Sequence, residues 1–505
     1  MKKVFQTETA MTLNELLEAI ETVEICGETS CEITGIVYDS RRALPGSLFV
    51  ALHGEKADGA AYIEDAVQRG AVAIISQTPC ASGGSFPCVQ VADARLALAK
   101  LSAAFYGHPS AQLCTVGITG TNGKTTVSFM LREIFKAAGR RPGLLGTVRY
   151  EIGDRVIPAS RTTPEAPDLQ AMFAHMDRAG CDSAIMEVSS HALAQHRVNG
   201  ILYDAAVFTN LTQDHLDYHG TMENYFGAKE KLFRATRSGK KQTAVINIDD
   251  AFGARLAQRT DMAVQMTYGL QPAAQLCATK VELGRDGSRF TVESAGRSFD
   301  CRLPLIGRHN IYNALAAICT GFALKLETNV IRTALAGMTP VVGRLESLPS
   351  GQPFGVYVDY AHTDDALDNV LSTVREITSG RVLLAFGCGG SRDKGKRPKM
   401  GRIAAEKADY ALITSDNPRK ESPADIASQI EQGFRSVRAE GYRVELDRRR
   451  AIDEIIRLAR PGDSVLIAGK GHETYQEFED TVVPFDDRIY ARETLENLGW
   501  KSRRK

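Results

Sequence analysis

The sequence predicts an α/β protein of three domains: a mixed α/β N-terminal domain, a central α/β domain of the P-loop type and a C-terminal Rossmann-like, doubly wound domain. Three observations lead to this prediction. The chain has 505 residues, more than one hydrophobic core usually supports. Apolar strand patterns alternate with helical patterns, and a glycine-rich turn joins one such strand to a helix near residue 120. We place the domains at residues 1–110, 111–340 and 341–505.

The N-terminal domain is predicted from short apolar runs that contain no phosphate-binding motif. Strands are expected at 33–38, 47–52 and 71–75 and a helix at 63–69, because turn residues separate runs rich in β-branched and aromatic side chains. The segment Gly107-His108-Pro109-Ser110 is typical of a linker, so it closes this domain.

The central domain is organised around the segment Gly120-Thr121-Asn122-Gly123-Lys124-Thr125-Thr126. An apolar strand at 113–118 precedes it and an amphipathic helix follows, so its backbone N–H groups can surround a phosphate. Lys124 would reach the outer phosphates, and the Thr125 hydroxyl would bind Mg²⁺. We therefore expect ATP or GTP with Mg²⁺; the alternative is an ordinary strand-to-helix turn that contains Gly-Lys-Thr by chance.

Three more polar stretches of the central domain are candidates for chemistry. Glu187 ends a strand at 183–188 and could bind the Mg²⁺ of a nucleotide or only cap the strand. His215 and His219 stand among aspartates, where zinc, Mg²⁺ through His215, or a plain surface role are all open. Lys229, in a predicted helix at 225–233, could be a solvated cation. Beyond them, 276–302 favours antiparallel strands and 310–326 a helix.

The C-terminal domain is predicted to hold parallel strands at 355–360, 382–386, 410–414, 443–446 and 464–468. A glycine loop at 387–395 is superficially similar to a dinucleotide fingerprint, but its last glycine is displaced, and we do not expect NAD there. Arg392 and Arg419 follow neighbouring strands and offer guanidinium forks for a carboxylate, while Asp416 and Glu473 stand near them. This combination suits a zwitterion such as an amino acid; ordinary loop charges are the alternative.

The composition limits the possible partners. The chain has 61 basic and 61 acidic residues, and this balance suggests no nucleic-acid partner. No apolar run is long enough for a membrane span, and Met1 to Glu8 lacks the apolar stretch of a secretory signal. We therefore expect a cytoplasmic protein, monomeric, that binds small molecules.

Several motifs, in the same order along nearly the whole chain, resemble those of the Mur ligase family of ATP-dependent amide-forming enzymes. They are the phosphate loop, Glu187-Val188-Ser189-Ser190-His191, Asp214-His215-Leu216-Asp217-Tyr218-His219, His309-Asn310-Ile311-Tyr312-Asn313-Ala314 and Asp359-Tyr360-Ala361-His362. Asp416-Asn417-Pro418-Arg419 is similar to the signature of members that add meso-diaminopimelate to UDP-N-acetylmuramoyl-L-alanyl-D-glutamate. The resemblance implies an ATP- and Mg²⁺-dependent ligase of peptidoglycan precursor synthesis that acts through an acyl phosphate.

The resemblance also implies roles for individual residues. Contacts with the UDP-muramoyl-dipeptide are implied for Tyr38, Ser40, Glu55, Lys56, Ala57, Thr162, Thr163, Ser189, Gln195, Arg197 and Lys229. ATP would be held by the phosphate loop, residues 120–126, with Asn310, Arg344 and Asp359. Diaminopimelate would contact Arg392, Asp416, Asn417, Pro418, Arg419, Gly469 and Glu473. Catalysis is implied for Lys124, Glu187, His215 and Lys229, and the metal would be bound by Thr125, Glu187, His215 and a carbamate on Lys229.

Other functions remain open at this stage. A lysine-adding ligase of the same family would be expected to lack the arginine at position 419, and folylpolyglutamate synthase would lack the N-terminal UDP-binding domain. A nucleotide-binding regulator or mechanical NTPase would release phosphate without any dependence on an amino acid.

Overall fold

The structure, a computed structural model, describes residues 10–54, 58–79, 86–234, 242–284, 286–339 and 341–500. The chain divides into two compact units. One comprises Met1–Gly269, Ala273–Gln275 and Ala316–Ile331, and the other Leu270–Pro272, Leu276–Leu315 and Arg332–Lys505. The domain boundaries near residues 110 and 340 stay a prediction. Within the described ranges, no helix is both long and apolar enough to cross a membrane.

Up to residue 269 the chain alternates short strands and helices. The strands are β1 (Met11–Thr12), β2 (Glu24–Cys26), β3 (Glu32–Ile33), β4 (Gly35–Val37), β5 (Ser47–Val50), β6 (Ala71–Ser76), β7 (Cys88–Gln90), β8 (Cys114–Thr119), β9 (Pro142–Leu145), β10 (Arg149–Ile152), β11 (Arg155–Pro158), β12 (Ser183–Glu187), β13 (Ala205–Phe208), β14 (Thr243–Asn247) and β15 (Val264–Gly269). The helices are α1 (Leu13–Leu17), α2 (Ile63–Gln68), α3 (Ala94–Phe105), α4 (Lys124–Ala137), α5 (Ala166–Arg178), α6 (Ser190–Ala194), α7 (Leu216–His219), α8 (Met222–Glu230) and α9 (Ala251–Ala257).

The N-terminal sheet has the strand order β2-β7-β6-β5-β4 and is parallel except for the pairing of β2 with β7. The continuous strand predicted at 33–38 is wrong, because the segment changes its pairing partner at Thr34. Strand β3 ends at Ile33 and pairs with β1, whereas β4 begins at Gly35 and alone joins the larger sheet. The buried side chains of α1 and α3 pack on this sheet as one apolar core.

A second sheet of the first unit carries eight strands in the order β11-β10-β9-β12-β8-β13-β14-β15. The six strands from β9 to β15 in this order are parallel, and their side chains are buried almost throughout, as expected for a sheet with both faces covered. Glu187 lies opposite Ile118, and Phe208 lies opposite Thr119. The segments that follow β8, β12 and β13 therefore emerge side by side at one edge of the sheet.

From residue 276 the strands are β16 (Leu276–Gly284), β17 (Gly287–Ser294), β18 (Arg297–Leu303), β19 (Glu346–Ser347), β20 (Gly355–Asp359), β21 (Val382–Phe386), β22 (Tyr410–Ile413), β23 (Tyr442–Val444), β24 (Ser464–Ala468), β25 (Tyr475–Phe478) and β26 (Thr481–Pro484). The helices are α10 (Arg308–Ala323), α11 (Thr328–Ala336), α12 (Asp364–Glu376), α13 (Lys396–Lys407), α14 (Pro423–Arg435), α15 (Arg448–Arg457) and α16 (Asp487–Asn497). The antiparallel strands predicted at 276–302 are confirmed as β16, β17 and β18.

The main sheet of the second unit has the order β19-β20-β24-β21-β22-β23 and is parallel except at β19. Asp359 lies opposite Ala468, and Phe386 lies opposite Ile413. The loops after β20, β24, β21 and β22 therefore open at the same edge. A hairpin of β25 and β26, which the sequence did not predict, adds two antiparallel strands.

Candidate active site

The glycine-rich segment runs from the end of β8 into α4, as predicted. Gly120 and Gly123 have φ angles of 150° and 88°, which side chains rarely allow and glycine does. Asn210, at the end of β13, holds the segment from the side: its side-chain oxygen accepts from Asn122 N–H at 2.9 Å and its carbonyl from Thr121 N–H at 2.9 Å. The sequence placed polar residues after this strand, but it did not predict this bracing role.

Glu187 is buried beside the start of α4. Its side chain is 1 % exposed, and Oε2 accepts a hydrogen bond from Thr125 Oγ1 at 2.9 Å. Thr147, which the sequence analysis missed, donates its N–H to Oε1 at 2.9 Å and its hydroxyl to Oε2 at 3.0 Å. The predicted pair of Thr125 and Glu187 is thus brought together, with the carboxylate oriented by three donors.

Two lysine side chains converge on one carbonyl of the loop. Lys229 is 1 % exposed, and its Nζ donates to the Gly120 carbonyl at 2.9 Å. Lys124 Nζ donates to the same carbonyl and to that of Thr121, each at 2.9 Å. Burial, together with the charge of Lys124, holds the pKa of Lys229 well below its ordinary value. The neutral form of the Lys229 amine is therefore favoured more than in a solvated lysine.

His215 immediately precedes the one-turn helix α7, as its N-cap residue, and has a left-handed φ of 53°. Its ring centroid lies 4.8 Å from that of His191 and 6.1 Å from that of Tyr225. Burial lowers the pKa of His215, so the ring is neutral near neutral pH and has a nitrogen lone pair to offer. Within the described residues, no group of three or more His, Cys, Asp or Glu side chains is arranged to hold a metal.

The residues expected at the muramoyl-dipeptide form a hydrogen-bonded set near Glu187. Thr163 Oγ1 donates to the Glu187 carbonyl at 2.8 Å and accepts from Ser189 N–H at 3.0 Å. Arg197 donates to the Thr163 carbonyl at 3.0 Å and to Gln195 Oε1. Thr162 Oγ1 lies 3.0 Å from the hydroxyl of Thr147 described above, and the buried Glu165, another residue not predicted, pairs with Arg197 at 3.0 Å.

The residues expected at the UDP end are described only in part. Tyr38 donates its hydroxyl hydrogen to Asp168 on α5 at 2.8 Å, and Ser40 is buried in a short 3₁₀ turn. Glu55, Lys56 and Ala57 lie outside the described residues.

In the second unit, a buried network joins the ends of β22 and β24. Lys470 is fully buried and donates to Asn417 Oδ1 at 2.9 Å and to Glu473 Oε2 at 3.0 Å, while Asn417 Nδ2 donates to the same Glu473 oxygen at 2.9 Å. A Cβ on Gly469 would lie 2.7 Å from Asp416 Oδ2, so these loops are packed directly against each other. Lys470 is a further residue that the sequence analysis did not single out.

Arg419 lies over the glycine loop. Its Nη1 donates to the Gly390 carbonyl at 3.0 Å, and its Nε donates to Glu477 Oε2 at 2.8 Å. A Cβ on Gly389 would lie 3.0 Å from Arg419 Nη1 and 4.0 Å from Arg392 Cγ, so both predicted arginines flank this glycine. Pro418 packs against the next glycine of the loop, because its carbonyl oxygen would lie 1.8 Å from a Cβ on Gly390.

Three residues of the second unit are expected to bind the nucleotide, and each makes contacts with other residues of that unit. Asn310 is buried and donates to the Ile306 carbonyl at 2.8 Å. The Arg344 guanidinium lies 5.0 Å from the centroid of the Tyr360 ring. Asp359 accepts from the N–H groups of Leu345 and Ala361, and burial raises its pKa.

Comparison with known sequences agrees with this geometry. Sequence models described as the Mur ligase family catalytic domain, the Mur ligase middle domain and the Mur ligase glutamate ligase domain match residues 32–106, 118–321 and 343–471. Together these matches cover more than half of the chain. The chain belongs to the Mur ligase family.

Individual Mur ligases are similar over nearly the whole length. A protein of Solibacter usitatus named UDP-N-acetylmuramoyl-L-alanyl-D-glutamate–2,6-diaminopimelate ligase is 44% identical over 494 residues, which cover 97% of this chain and 99% of that protein. The protein of the same name from Listeria monocytogenes is 44% identical over 492 residues, with coverage of 96% and 99%. A solved structure with this name is 32% identical, with a TM-score of 0.70 and coverage of 97% and 100%. The family and the three-domain α/β architecture expected from the motifs are confirmed.

One ion pair of this Mur ligase predicts a pH effect on stability. Glu421 accepts from the fully buried Arg397 at 3.0 and 3.1 Å, and this pairing lowers the pKa of Glu421 to about 2 from 4.5. Because the pKa of Glu421 is lower in the folded protein than in the unfolded chain, the ionised carboxylate stabilises the fold above about pH 4.5. This stabilisation is lost as the pH falls towards 2 and the carboxylate becomes protonated. The free energy of unfolding of wild type minus that of Glu421→Gln should therefore be constant above pH 4.5 and should shrink below it.

Denaturant titrations between pH 2 and 6 measure this difference. The matched control is Glu440→Gln, which removes an exposed carboxylate of the same unit. If the free energy of unfolding of wild type exceeds that of Glu421→Gln by the same amount at every pH, the prediction is contradicted.

Proposed function

We propose that this chain joins meso-diaminopimelate to the D-glutamyl residue of UDP-N-acetylmuramoyl-L-alanyl-D-glutamate and converts ATP to ADP and phosphate. It is a ligase of the Mur family. The observation that carries the substrate assignment is the loop Asp416–Arg419 at the edge of a parallel sheet, where a guanidinium fork stands with the buried carboxylate of Asp416 and the part-buried carboxylate of Glu473. Relatives 44% identical over nearly full length carry the name of this activity.

The first step is phosphoryl transfer to a carboxylate. An oxygen of the D-glutamyl side chain attacks the γ-phosphorus, the bond to the ADP oxygen breaks, and an acyl phosphate forms. Lys124 exchanges its bonds to the Gly120 and Thr121 carbonyls for phosphate oxygens, and the backbone N–H groups of the loop bind the remaining charge. The amine then attacks the acyl carbon, inorganic phosphate leaves, and the nitrogen loses a proton.

The donor set at the loop fits Mg²⁺. Thr125 and Glu187 already lie 2.9 Å apart, His215 presents a neutral ring, and a carbamate on Lys229 would add anionic oxygen. When bound, Mg²⁺ would neutralise charge on the transferred phosphoryl group. A carbamate forms when a neutral amine attacks CO₂, and the lowered pKa of Lys229 supports this modification.

Amino-acid choice follows from charge. Arg419 and Arg392 suit the second carboxylate that lysine lacks, and Asp416 and Glu473 suit an ammonium group. A net charge of zero supports small-molecule substrates rather than nucleic acid, and we assign the enzyme to the cytoplasm as a monomer.

Gly120 provides a test of the nucleotide assignment. A Cβ at this position would lie 1.8 Å from Thr209 Oγ1, on a backbone with φ of 150°. Gly120→Ala should therefore displace the loop and lower kcat/KM for ATP about a hundredfold, as ångström-scale misplacement does. Gly139→Ala is the control, since Gly139 also has a positive φ of 77° but its Cβ would meet nothing within 4 Å. Equal kinetics in the two variants would argue against this loop as the ATP site.

The overall function is tested by phosphate release from Mg-ATP with the UDP-muramoyl-dipeptide. Release should depend on meso-diaminopimelate, be far weaker with L-lysine, and yield the tripeptide product by mass spectrometry. Preference for lysine would keep the family mechanism but overturn the amino-acid assignment, and phosphate release without any amino acid would overturn the ligase assignment.

A further inference from the structure

The hairpin of β25 and β26 holds Arg419 through both its backbone and its side chain. The Arg419 N–H donates to the Glu477 carbonyl at 2.9 Å, and the Glu479 N–H donates to the Arg419 carbonyl at 2.7 Å. The Glu477 carboxylate accepts from Arg419 Nε at 2.8 Å. Strand β25 and Glu479, the residue that follows it, therefore hold this arginine at three points.

The hairpin is itself attached to the same loop. Gln476 is buried and donates to the Asp416 carbonyl at 2.9 Å, and the Glu477 N–H donates to Asn417 Oδ1 at 3.1 Å. Asn417 in turn bonds to Lys470 and Glu473 at the end of β24. The hairpin and the Asp416–Arg419 loop are thus one connected support.

Arg419 needs such a support. Its φ of 52° is left-handed, a conformation that a long side chain keeps only where its surroundings hold it. The Glu477 carboxylate accepts a hydrogen bond from Arg419 Nε, and the Gly390 carbonyl accepts one from Nη1. Among the described residues no acceptor is bonded to Nη2, so the guanidinium keeps N–H donors available for a ligand carboxylate.

We propose that Glu477 is a specificity-determining positioning residue, which sets the rotation of the Arg419 guanidinium so that its Nη edge meets the second carboxylate of the amino acid. This inference rests on the proposed function. The binding of an amino acid without that carboxylate does not depend on the rotation of the guanidinium. Glu477 therefore contributes to the selectivity between amino acids rather than to the chemical step.

The test measures KM and kcat for meso-diaminopimelate and for L-lysine. Glu477→Ala should raise KM for diaminopimelate about tenfold or more, as expected when a charged hydrogen bond is lost, and should reduce the preference over lysine by the same factor. Neither kcat nor KM for ATP should change. Glu477→Gln should stay near wild type because its amide oxygen still accepts from Nε. Glu479→Gln is the control, with the same change of charge on an exposed side chain of the same hairpin.

A double-mutant cycle separates positioning from general damage. In an Arg419→Ala background, Glu477→Ala should change KM no further, whereas a merely structural role would raise it again. Glu477→Asp, which keeps the charge but withdraws the oxygen, should resemble the alanine variant and carries the test if that variant does not fold. The inference is overturned if Glu477→Ala or Glu477→Asp has wild-type kinetics. It is also overturned if Glu477→Ala raises KM equally with and without Arg419. Either result would leave the proposed function standing. A wild-type enzyme indifferent to diaminopimelate would overturn the proposed function, and this inference with it.

Discussion

Lys229→Ala is expected to reduce ligation about a hundredfold, the upper end of the loss expected when a metal-supporting group is removed. Lys229 is buried at the Gly120 carbonyl, and its carbamate would supply anionic oxygen that alanine cannot. Initial rates of phosphate release with all three substrates measure the loss. Lys231→Ala is the control, because it removes an exposed lysine two residues further along.

Short carboxylates give this prediction a second readout. Formate or acetate should restore part of the activity of Lys229→Ala, since either can enter the space left by the side chain and offer oxygen atoms. Labelled bicarbonate should add a carbamate carbon to wild type and none to the variant. Activity that no carboxylate restores, with no label on wild type, would argue against the carbamate.

Arg419→Ala is expected to raise KM for meso-diaminopimelate between about thirty- and several-thousand-fold, the range for a lost ion pair of roughly 2 to 5 kcal/mol. The arginine is anchored at Gly390 and Glu477, so the change removes a positioned fork rather than a mobile surface charge. KM for ATP and for the dipeptide substrate should stay near wild type. Steady-state kinetics with each substrate varied in turn provide the measurement.

Lys420→Ala is the matched control for Arg419→Ala, because Lys420 is the neighbouring residue and is exposed. An unchanged KM for diaminopimelate in Arg419→Ala would remove the basis for the amino-acid assignment. A similar rise in both variants would point to general disturbance of the loop.

The sequence predicted those features that depend on local pattern. The phosphate loop and Glu187 follow apolar strands of one sheet, and the Asp416–Arg419 loop follows an apolar strand of another, so polar residues at such positions collect at the edge of their own sheet. In the first of these sheets, register places Glu187 beside the strand that leads into the phosphate loop, as its pairing with Ile118 shows.

The features that were missed depend on contacts between distant segments. Asn210 braces Asn122 from 88 residues away, and Thr147 orients Glu187 across a separation of 40 residues. Their side chains are common types with no motif of their own, so only the folded sheet shows what they touch. The break at Thr34 likewise reflects pairing with two different strands, β1 before it and β5 after it, which periodicity does not reveal.

The connected support around Arg419 also limits how this enzyme can diverge. Asp416–Arg419, Lys470 with Glu473, and the hairpin share buried hydrogen bonds, so a change in one segment leaves unpaired groups in the others. Replacing Arg419 alone would leave Glu477 without its cation, in a pocket not yet suited to another amino acid. Exchange of amino-acid preference during evolution therefore requires coordinated substitutions in all three segments, and single-residue intermediates would be poor enzymes for either substrate.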